Sequence, residues 1–399
     1  MKRATFIIIG AIIVLILVAV WLYLLFFPAP ADNGGMFANF GFGGTDDTSY
    51  VEDTNTSVAD TVVDTTSKER LRQLTTVPVL AYREVQMTAS STPQIYYVEA
   101  GTGHIFSINY ETGQTTRLSA TTIPVATKAA LSPNGQFVMY RSGDTAGAEY
   151  IVGNLATSSE KITTTVISEN VVDFVIPNNN EILYSVQLQN SLVGKRYSLK
   201  TGAVSTLFTI PFREAAVAWG KSSDATHYVY PRATDQLQGF IYKVKGSVLT
   251  RLPISGYGVS AVGTDADLLY SSVVTTQTNR IYVSQGLQIA DYSPAAVPFT
   301  VMPEKCTASS HGTYYCATQL NLESIPNLPD DWYRGQVTFS DSVWEFNLET
   351  GSAYSLFDMR TLSGRDADIV NITPNNSQTR LYFTDRYNKL LWVYELTQE

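Results

Sequence analysis

The sequence predicts an all-β domain, a seven-bladed β-propeller, preceded by one transmembrane helix and a disordered linker. Three observations predict this arrangement: an uncharged apolar segment near the N-terminus, a β-forming composition, and a strand pattern that recurs about every 44 residues. The predicted organisation is a cytoplasmic tip with an anchor (1–27), a flexible acidic linker (28–67) and a propeller with N-/C-terminal strand closure (68–399).

The anchor is predicted from an apolar run, 5–27, that contains no charge. As a helix it would be about 35 Å long, enough to cross a hydrocarbon core of about 30 Å. Lys2 and Arg3 precede it, so the N-terminus is expected in the cytoplasm and the rest outside it. We therefore expect residues 4–27 to bind the lipid bilayer as a single-pass anchor in the cell membrane. The alternative is a signal peptide cleaved near 29–31, although the run exceeds the roughly 7 to 15 apolar residues of such peptides.

The linker is predicted from composition. Residues 28–67 are rich in Gly, Thr, Asp and Asn and have no apolar period, so they cannot bury enough surface to offset the entropy of ordering. The alternative to a simple tether is an acidic docking tail. The formal net charge is −9, and most of the acidic excess lies in this segment: Asp32, Asp46, Asp47, Glu52, Asp53, Asp60 and Asp64. The nearly neutral remainder argues against a nucleic-acid partner.

The repeat consists of two hairpins. Aromatic residues make up 12% of the chain, with 24 Tyr, which favours strands. The first hairpin is clearest in KAALSPNGQFVMYRSG, and weaker copies follow; together they occupy 128–143, 171–186, 215–230, 259–272 and 368–385. The second has a Thr-Gly turn and recurs at 104–119, 194–209 and 342–358. Its glycines, Gly113, Gly202 and Gly351, are predicted to adopt positive φ.

Two hairpins give a four-stranded unit, and the spacing gives the number of units. First strands are predicted near residues 78, 126, 170, 214, 258, 299 and 367, which makes seven blades. The C-terminal unit has only three strands. ERLRQLTTV (69–77) is therefore predicted to pair with LLWVYEL and close the ring, which removes an open sheet edge.

The LSPNGQFVMY segment resembles the SPDGK-type repeat of TolB-like (WD40-like) bacterial β-propellers, with Asn134 in place of the usual Asp. The Thr-Gly hairpins are similar to those of the same families and of PQQ-like propellers. This resemblance implies a fold, a bacterial setting, and binding or scaffold roles. The Trp docking motif of quinoproteins, the SxDxGxTW box of sialidases and the GH…WD pair of WD40 repeats are absent from the sequence. No family site residue can therefore be transferred.

Motifs for chemistry are few. His104, His227 and His311 are far apart in sequence, so neither a metal site nor a cofactor is predicted. No nucleophile elbow, P-loop or GxGxxG is present, and no catalytic residue is assigned. Cys306 and Cys316 flank a Ser-Ser-His-Gly turn, and export would allow them to form a disulfide.

The candidate binding residues lie in an insertion in the sixth blade, at about 317–341. The insertion brings together Asp330, Asp331, Trp332, Tyr333 and Arg334. Aromatic rings beside carboxylates and an Arg suit stacking on a sugar, and they equally suit anchoring at a protein interface. The alternative is that Trp332 and Tyr333 fill a groove between blades.

The predicted function is a membrane-anchored, extracytoplasmic, non-enzymatic binding or scaffold module for an envelope protein or cell-envelope polymer such as glycan. The alternative is a carbohydrate-active enzyme that uses carboxylates at the tunnel mouth, with Asp331 and Asp366 as residues to test. A purely structural module is the third hypothesis.

Overall fold

Antiparallel strands that pair with their neighbours in sequence form most of the structure. The computed structural model describes residues 70–86, 91–143, 147–155, 161–263, 267–273, 280–285, 295–296, 302–309, 312–319, 327–347 and 350–396. All of them belong to one unit, Asp60–Glu399. The predicted anchor (4–27) and linker (28–67) lie outside the described residues. No helix within the described ranges is long and apolar enough to cross a membrane.

Three four-stranded sheets follow a short N-terminal strand, β1 (Leu71–Gln73). The first sheet contains β2 (Val79–Val85), β3 (Gln94–Glu99), β4 (Ile105–Asn109) and β5 (Thr115–Arg117). The second contains β6 (Ala126–Leu131), β7 (Phe137–Ser142), β8 (Glu149–Leu155) and β9 (Ile162–Ile167). The third contains β10 (Val171–Val175), β11 (Glu181–Gln187), β12 (Leu192–Ser198) and β13 (Val204–Ile210).

The fourth sheet has seven strands. They are β14 (Ala215–Ala218), β15 (His227–Pro231), β16 (Gln238–Lys245), β17 (Val248–Gly263), β18 (Asp267–Val273), β19 (Arg280–Gln285) and β20 (Ala295–Ala296). The prediction of seven separate blades is wrong, because the described strands form six sheets. The reason is β17, whose 16 residues pair with β16 up to Tyr257 and with β18 from Tyr257 onward. The unit predicted near residue 258 is thereby joined to the one before it.

The fifth sheet begins after a 3₁₀ turn, Pro303–Lys305. Its elements are β21 (Cys306–Ala308), β22 (Thr313–Thr318), the helix α1 (Asp330–Tyr333), β23 (Ser342–Asn347) and β24 (Ala353–Asp358), and the helix α2 (Met359–Ser363) follows. The predicted Cys306–Cys316 disulfide is present and joins β21 to β22, where the two residues face each other directly.

The closing sheet combines both ends of the described chain. It contains β25 (Ile369–Pro374), β26 (Arg380–Asp385) and β27 (Leu391–Glu395), and β1 completes it by pairing with β27. Arg72 lies opposite Val393 in this pairing. The predicted closure by N- and C-terminal strands is therefore confirmed.

Neighbouring sheets pack face to face, and the closing sheet packs against the first. Clusters of buried side chains join each pair: Val98 with Val138, Met139 with Phe174, Phe208 with Val229, Leu269 with Tyr314, Tyr315 with Leu381, and Ile95 with Tyr382. The sheets therefore follow one another around a closed ring. The Thr-Gly turns have the predicted geometry, since Gly113, Gly202 and Gly351 have φ of 71°, 72° and 66°.

The two ends of the ring carry different connections. Because neighbouring strands are antiparallel, the connections from second to third strands lie at the same end as those leading into each first strand. We call this the upper end. The tight Asn-, Gly- and Thr-containing turns lie at the opposite, lower end.

Candidate functional site

A buried lysine lies between two buried aspartates at the upper end. Lys305 ends the 3₁₀ turn before β21, whereas Asp341 and Asp368 stand immediately before β23 and β25. The Lys305 Nζ atom is 2.5 Å from Asp341 Oδ2 and 2.5 Å from Asp368 Oδ1. None of the three residues is more than 2% exposed. We call these three residues the buried triad.

The triad has more negative than positive charge. The backbone N–H of Ile369 donates to Asp341 Oδ2 at 2.6 Å, but Asp341 Oδ1 is buried and has no hydrogen-bond partner among the described residues. Burial raises the pKa of Asp341 to about 6, and Lys305 opposes this rise. Asp341 therefore takes up a proton at a higher pH than an ordinary aspartate does.

Trp332 from the insertion covers the triad. It lies on α1 and is 6% exposed, and its indole Nε1–H donates to Asp368 Oδ2 at 2.7 Å. Its ring stacks on Phe339 with a centroid distance of 6.2 Å and an interplanar angle of 7°. The Arg386 guanidinium lies 4.3 Å from the ring centroid and donates to the Trp332 carbonyl oxygen at 2.6 Å. The Trp332 ring is therefore buried among protein atoms and contacts both Phe339 and Arg386.

Tyr333 forms a second set of contacts, with Glu304 and Arg232. Its hydroxyl donates to Glu304 Oε1, and the hydroxyl of Ser260 donates to Glu304 Oε2 at 3.0 Å. Burial raises the pKa of Glu304, and these two hydrogen bonds oppose the rise. The Arg232 guanidinium lies over the Tyr333 ring, 5.7 Å from its centroid.

The first residue of the helix contacts the fourth sheet. Asp330 accepts hydrogen bonds from the Thr234 hydroxyl at 2.6 Å and from the Asp235 N–H at 2.9 Å. Burial favours the neutral form of Asp330, but hydrogen bonds from Asp235 and Thr234 lower its pKa overall. The hydrogen bond between the side chains of Asp235 and Asp330 raises the pKa of Asp235.

The other two predicted binding residues make only local contacts. Asp331 accepts a hydrogen bond from Asn327 at 3.3 Å, and the Arg334 guanidinium is 3.9 Å from Asp331 Oδ1 with its side chain 61% exposed. The structure thus brings Asp330, Trp332 and Tyr333 into one network and leaves Arg334 in solvent.

Sequence reasoning missed the partners of this network: Glu304, Lys305, Asp341, Asp368 and Arg386. One signal could have found three of them, because a charged residue stands directly before each of the strands β21, β23 and β25. Asp366 has a different environment. It is exposed and accepts hydrogen bonds from Arg360 and Ser340, and the hydrogen bond from Arg360 lowers its pKa to about 2.

Two adjoining clefts are present, and the smaller one lies beside this network. The large cleft, of about 500 Å³, is lined by Glu169, Asn170, Gln187, Leu188 and Lys195 among others. The small cleft, of about 160 Å³, is lined by Glu214, Arg232, Thr234, Leu237 and Gln238 among others. A hydrogen bond of 3.0 Å from Gln187 Nε2 to Glu214 Oε1 links their walls. The small cleft shares Thr234 with the site of Asp330.

Solved structures of similar fold include the β-propeller domain of the Trilobed protease from Pyrococcus furiosus, with 12% identity, a TM-score of 0.51, and coverage of 80% of this chain and 95% of that domain. The Cps50 (Swd1) β-propeller domain of Myceliophteria thermophila has 9% identity, a TM-score of 0.52, and coverage of 82% and 100%. An oligogalacturonate lyase in complex with manganese has 12% identity, a TM-score of 0.53, and coverage of 82% and 93%. The fold is a β-propeller.

The likeness concerns the fold alone, because sequence identity is low in every case. Comparison with protein-family models and with curated proteins gives no match. Within the propeller, the insertion lies at the upper end and contacts three sheets: the fourth through Thr234, the fifth through Glu304 and the closing sheet through Asp368. Its contacts join elements that are distant in sequence.

Proposed function

We propose that this chain is a membrane-anchored, extracytoplasmic β-propeller that acts as a binding or scaffold module for an envelope protein or cell-envelope polymer. The sequence supports the location through the apolar run at 4–27 and the preceding Lys2 and Arg3. The resemblance to TolB-like bacterial propellers supports the envelope setting. The chemistry of the upper end supports binding.

The observation that carries this proposal is the position of exposed apolar side chains. Leu188, Leu237 and Tyr387 are 51%, 70% and 84% exposed, and each lies on a connection from a second to a third strand. All three are therefore at the upper end, next to the insertion and the clefts. Apolar groups exposed beside a cleft favour contact with another macromolecule.

The carboxylates at this end also favour binding over catalysis. Asp341 and Asp368 are engaged by Lys305, and Asp366 is engaged by Arg360. A carboxylate that is paired with a cation is poorly placed to exchange protons with a substrate. The three carboxylates are therefore assigned to stabilising the upper end, whereas the exposed apolar residues are available to contact a partner.

Cross-linking in native membranes tests the proposal. The full-length chain is cross-linked and the adducts are identified by mass spectrometry. We expect one reproducible adduct that is lost in the Leu188→Asp, Leu237→Asp double variant. Val248→Asp is the matched control, because Val248 is 64% exposed but begins β17 at the lower end. An absent adduct, or one equally sensitive to both changes, would overturn the proposal.

A carbohydrate-active enzyme is the second candidate function. The observation that favours it is the similar fold of an oligogalacturonate lyase, which makes acidic oligosaccharides reasonable substrates to test, together with cell-wall glycan. Turnover that is lost in Asp331→Asn or Asp366→Asn would favour this function over binding.

A further inference from the structure

The two adjoining clefts have a lining suited to main-chain groups. Asn170, Gln187 and Gln238 present side-chain amides, which can donate and accept hydrogen bonds at once. An extended polypeptide offers N–H and C=O groups in alternation, so amides can bind both. The described residues that line the clefts include no aromatic ring, and stacking on a sugar therefore has no platform there.

One cation at the clefts, Arg232, has no carboxylate partner among the described residues. Glu169 is held by Lys195 at 2.6 Å, and Glu214 lies 3.1 Å from Arg213. Arg232 is exposed and has no carboxylate within ion-pair distance among the described residues; its guanidinium lies over the face of the Tyr333 ring. A guanidinium without a carboxylate partner can donate two parallel hydrogen bonds to the carboxylate of a ligand.

Each cleft also has one exposed leucine at its wall. Leu188 lines the large cleft and Leu237 the small cleft, so an extended ligand that follows the linked walls would meet an apolar group on either side of the Gln187–Glu214 hydrogen bond. Aliphatic side chains of the ligand would cover these leucines and remove apolar surface from water.

We infer that the linked clefts bind an extended segment of a partner protein that carries aliphatic residues and a carboxylate, with Arg232 as the residue that recognises the carboxylate. This inference rests on the proposed function and names its partner chemistry. Complementary charge sets the preference among segments, and the apolar contacts add affinity.

The test uses the full-length chain in detergent and a random peptide library displayed on phage. We expect enriched peptides to combine aliphatic residues with Asp or Glu, and a synthetic copy to bind about tenfold more weakly to Arg232→Glu. When the library is selected for binding to the Arg232→Glu variant, Lys or Arg should instead be enriched at the same position. Lys221→Glu is the matched control, because Lys221 is exposed beyond β14 at the lower end of the same sheet.

Several outcomes would overturn the inference. They are a lack of enrichment, enrichment of aromatic or basic peptides, or the same preference in Arg232→Glu as in the wild type. Displacement of the enriched peptide by a synthetic peptide of residues 51–66 would assign the clefts to the chain's own linker instead. If no peptide is enriched but the membrane adduct remains sensitive to Leu188 and Leu237, this inference fails and the proposed function stands.

Discussion

Replacement of Lys305 by methionine should strongly destabilise the propeller. The change removes the ammonium between Asp341 and Asp368 and keeps the volume of the side chain similar. The side chains of Lys305, Asp341 and Asp368 are 1%, 0% and 1% exposed, so neither carboxylate can recover its lost partner by contact with water. Removal of one partner from a buried ion pair costs about 3 to 5 kcal/mol. We expect a loss of that size at about pH 8, which is above the pKa of Asp341.

The loss should depend on pH in a defined direction. In the wild type, the pKa of Asp341 is raised from an ordinary value of 3.8 to about 6, because burial disfavours the charged form. A raised carboxyl pKa means that the native state binds the proton more tightly than the unfolded state. Ionisation of Asp341 therefore costs roughly 3 kcal/mol of stability as pH rises from about 4 to above 6. Without Lys305 this pKa should rise further, and part of the loss should be recovered at about pH 5.

Denaturant unfolding followed by tryptophan fluorescence measures both effects in the full-length chain in detergent. Lys128→Met is the matched control, because Lys128 pairs with Asp173 but its side chain is 42% exposed, and such surface pairs contribute about 0 to 1 kcal/mol. The reasoning is refuted if Lys305→Met is no less stable than Lys128→Met at about pH 8. It is also refuted if the loss from Lys305→Met is the same at about pH 5.

Three further predictions concern single contacts. Trp332→Phe leaves Asp368 Oδ2 without its 2.7 Å donor and should cost about 1 to 3 kcal/mol in denaturant unfolding, whereas a loss below that range would mean that the hydrogen bond is replaced by water. Replacement of both Cys306 and Cys316 by alanine should lower stability by about 2 to 3 kcal/mol relative to the oxidised protein, and a reductant should then have no effect on the variant. Gly194→Ala places a Cβ 2.3 Å from a phenylalanine ring atom, so thermal unfolding should show a loss of about 1 to 3 kcal/mol; unchanged stability would show that the ring can move freely.

Local features of the fold could be predicted from the sequence because they depend on neighbouring residues. The Thr-Gly turns require glycine at positive φ, and Gly113 and Gly202 mark them directly. The closing strand could be inferred because the last unit lacks a fourth strand. The joined sheet could not be predicted, because β17 contains the pattern of two strands and its continuation through Tyr257 depends on pairing with β16 and β18.

The site was predictable only in part for a related reason. Trp332 and Tyr333 stand out because they interrupt the repeat together. Their partners are distant in sequence: Trp332 lies 36 residues before Asp368 and Tyr333 lies 29 residues after Glu304. No residue spacing encodes such contacts, since they arise only when the sheets assemble around the ring. Arg232 was missed because a single exposed arginine has no distinctive pattern.

The closing sheet has a mechanical consequence. The N-terminal side of the chain enters the ring through β1, an outer strand of three residues whose one partner among the described strands is β27. Tension applied at Arg70 would therefore load this short ladder first, and it would peel β1 from the ring before force reached the longer strands inside. A pull from the N-terminal side would thus open the propeller between β1 and β27, and the force that the ring withstands would be set by the pairing of Leu71–Gln73.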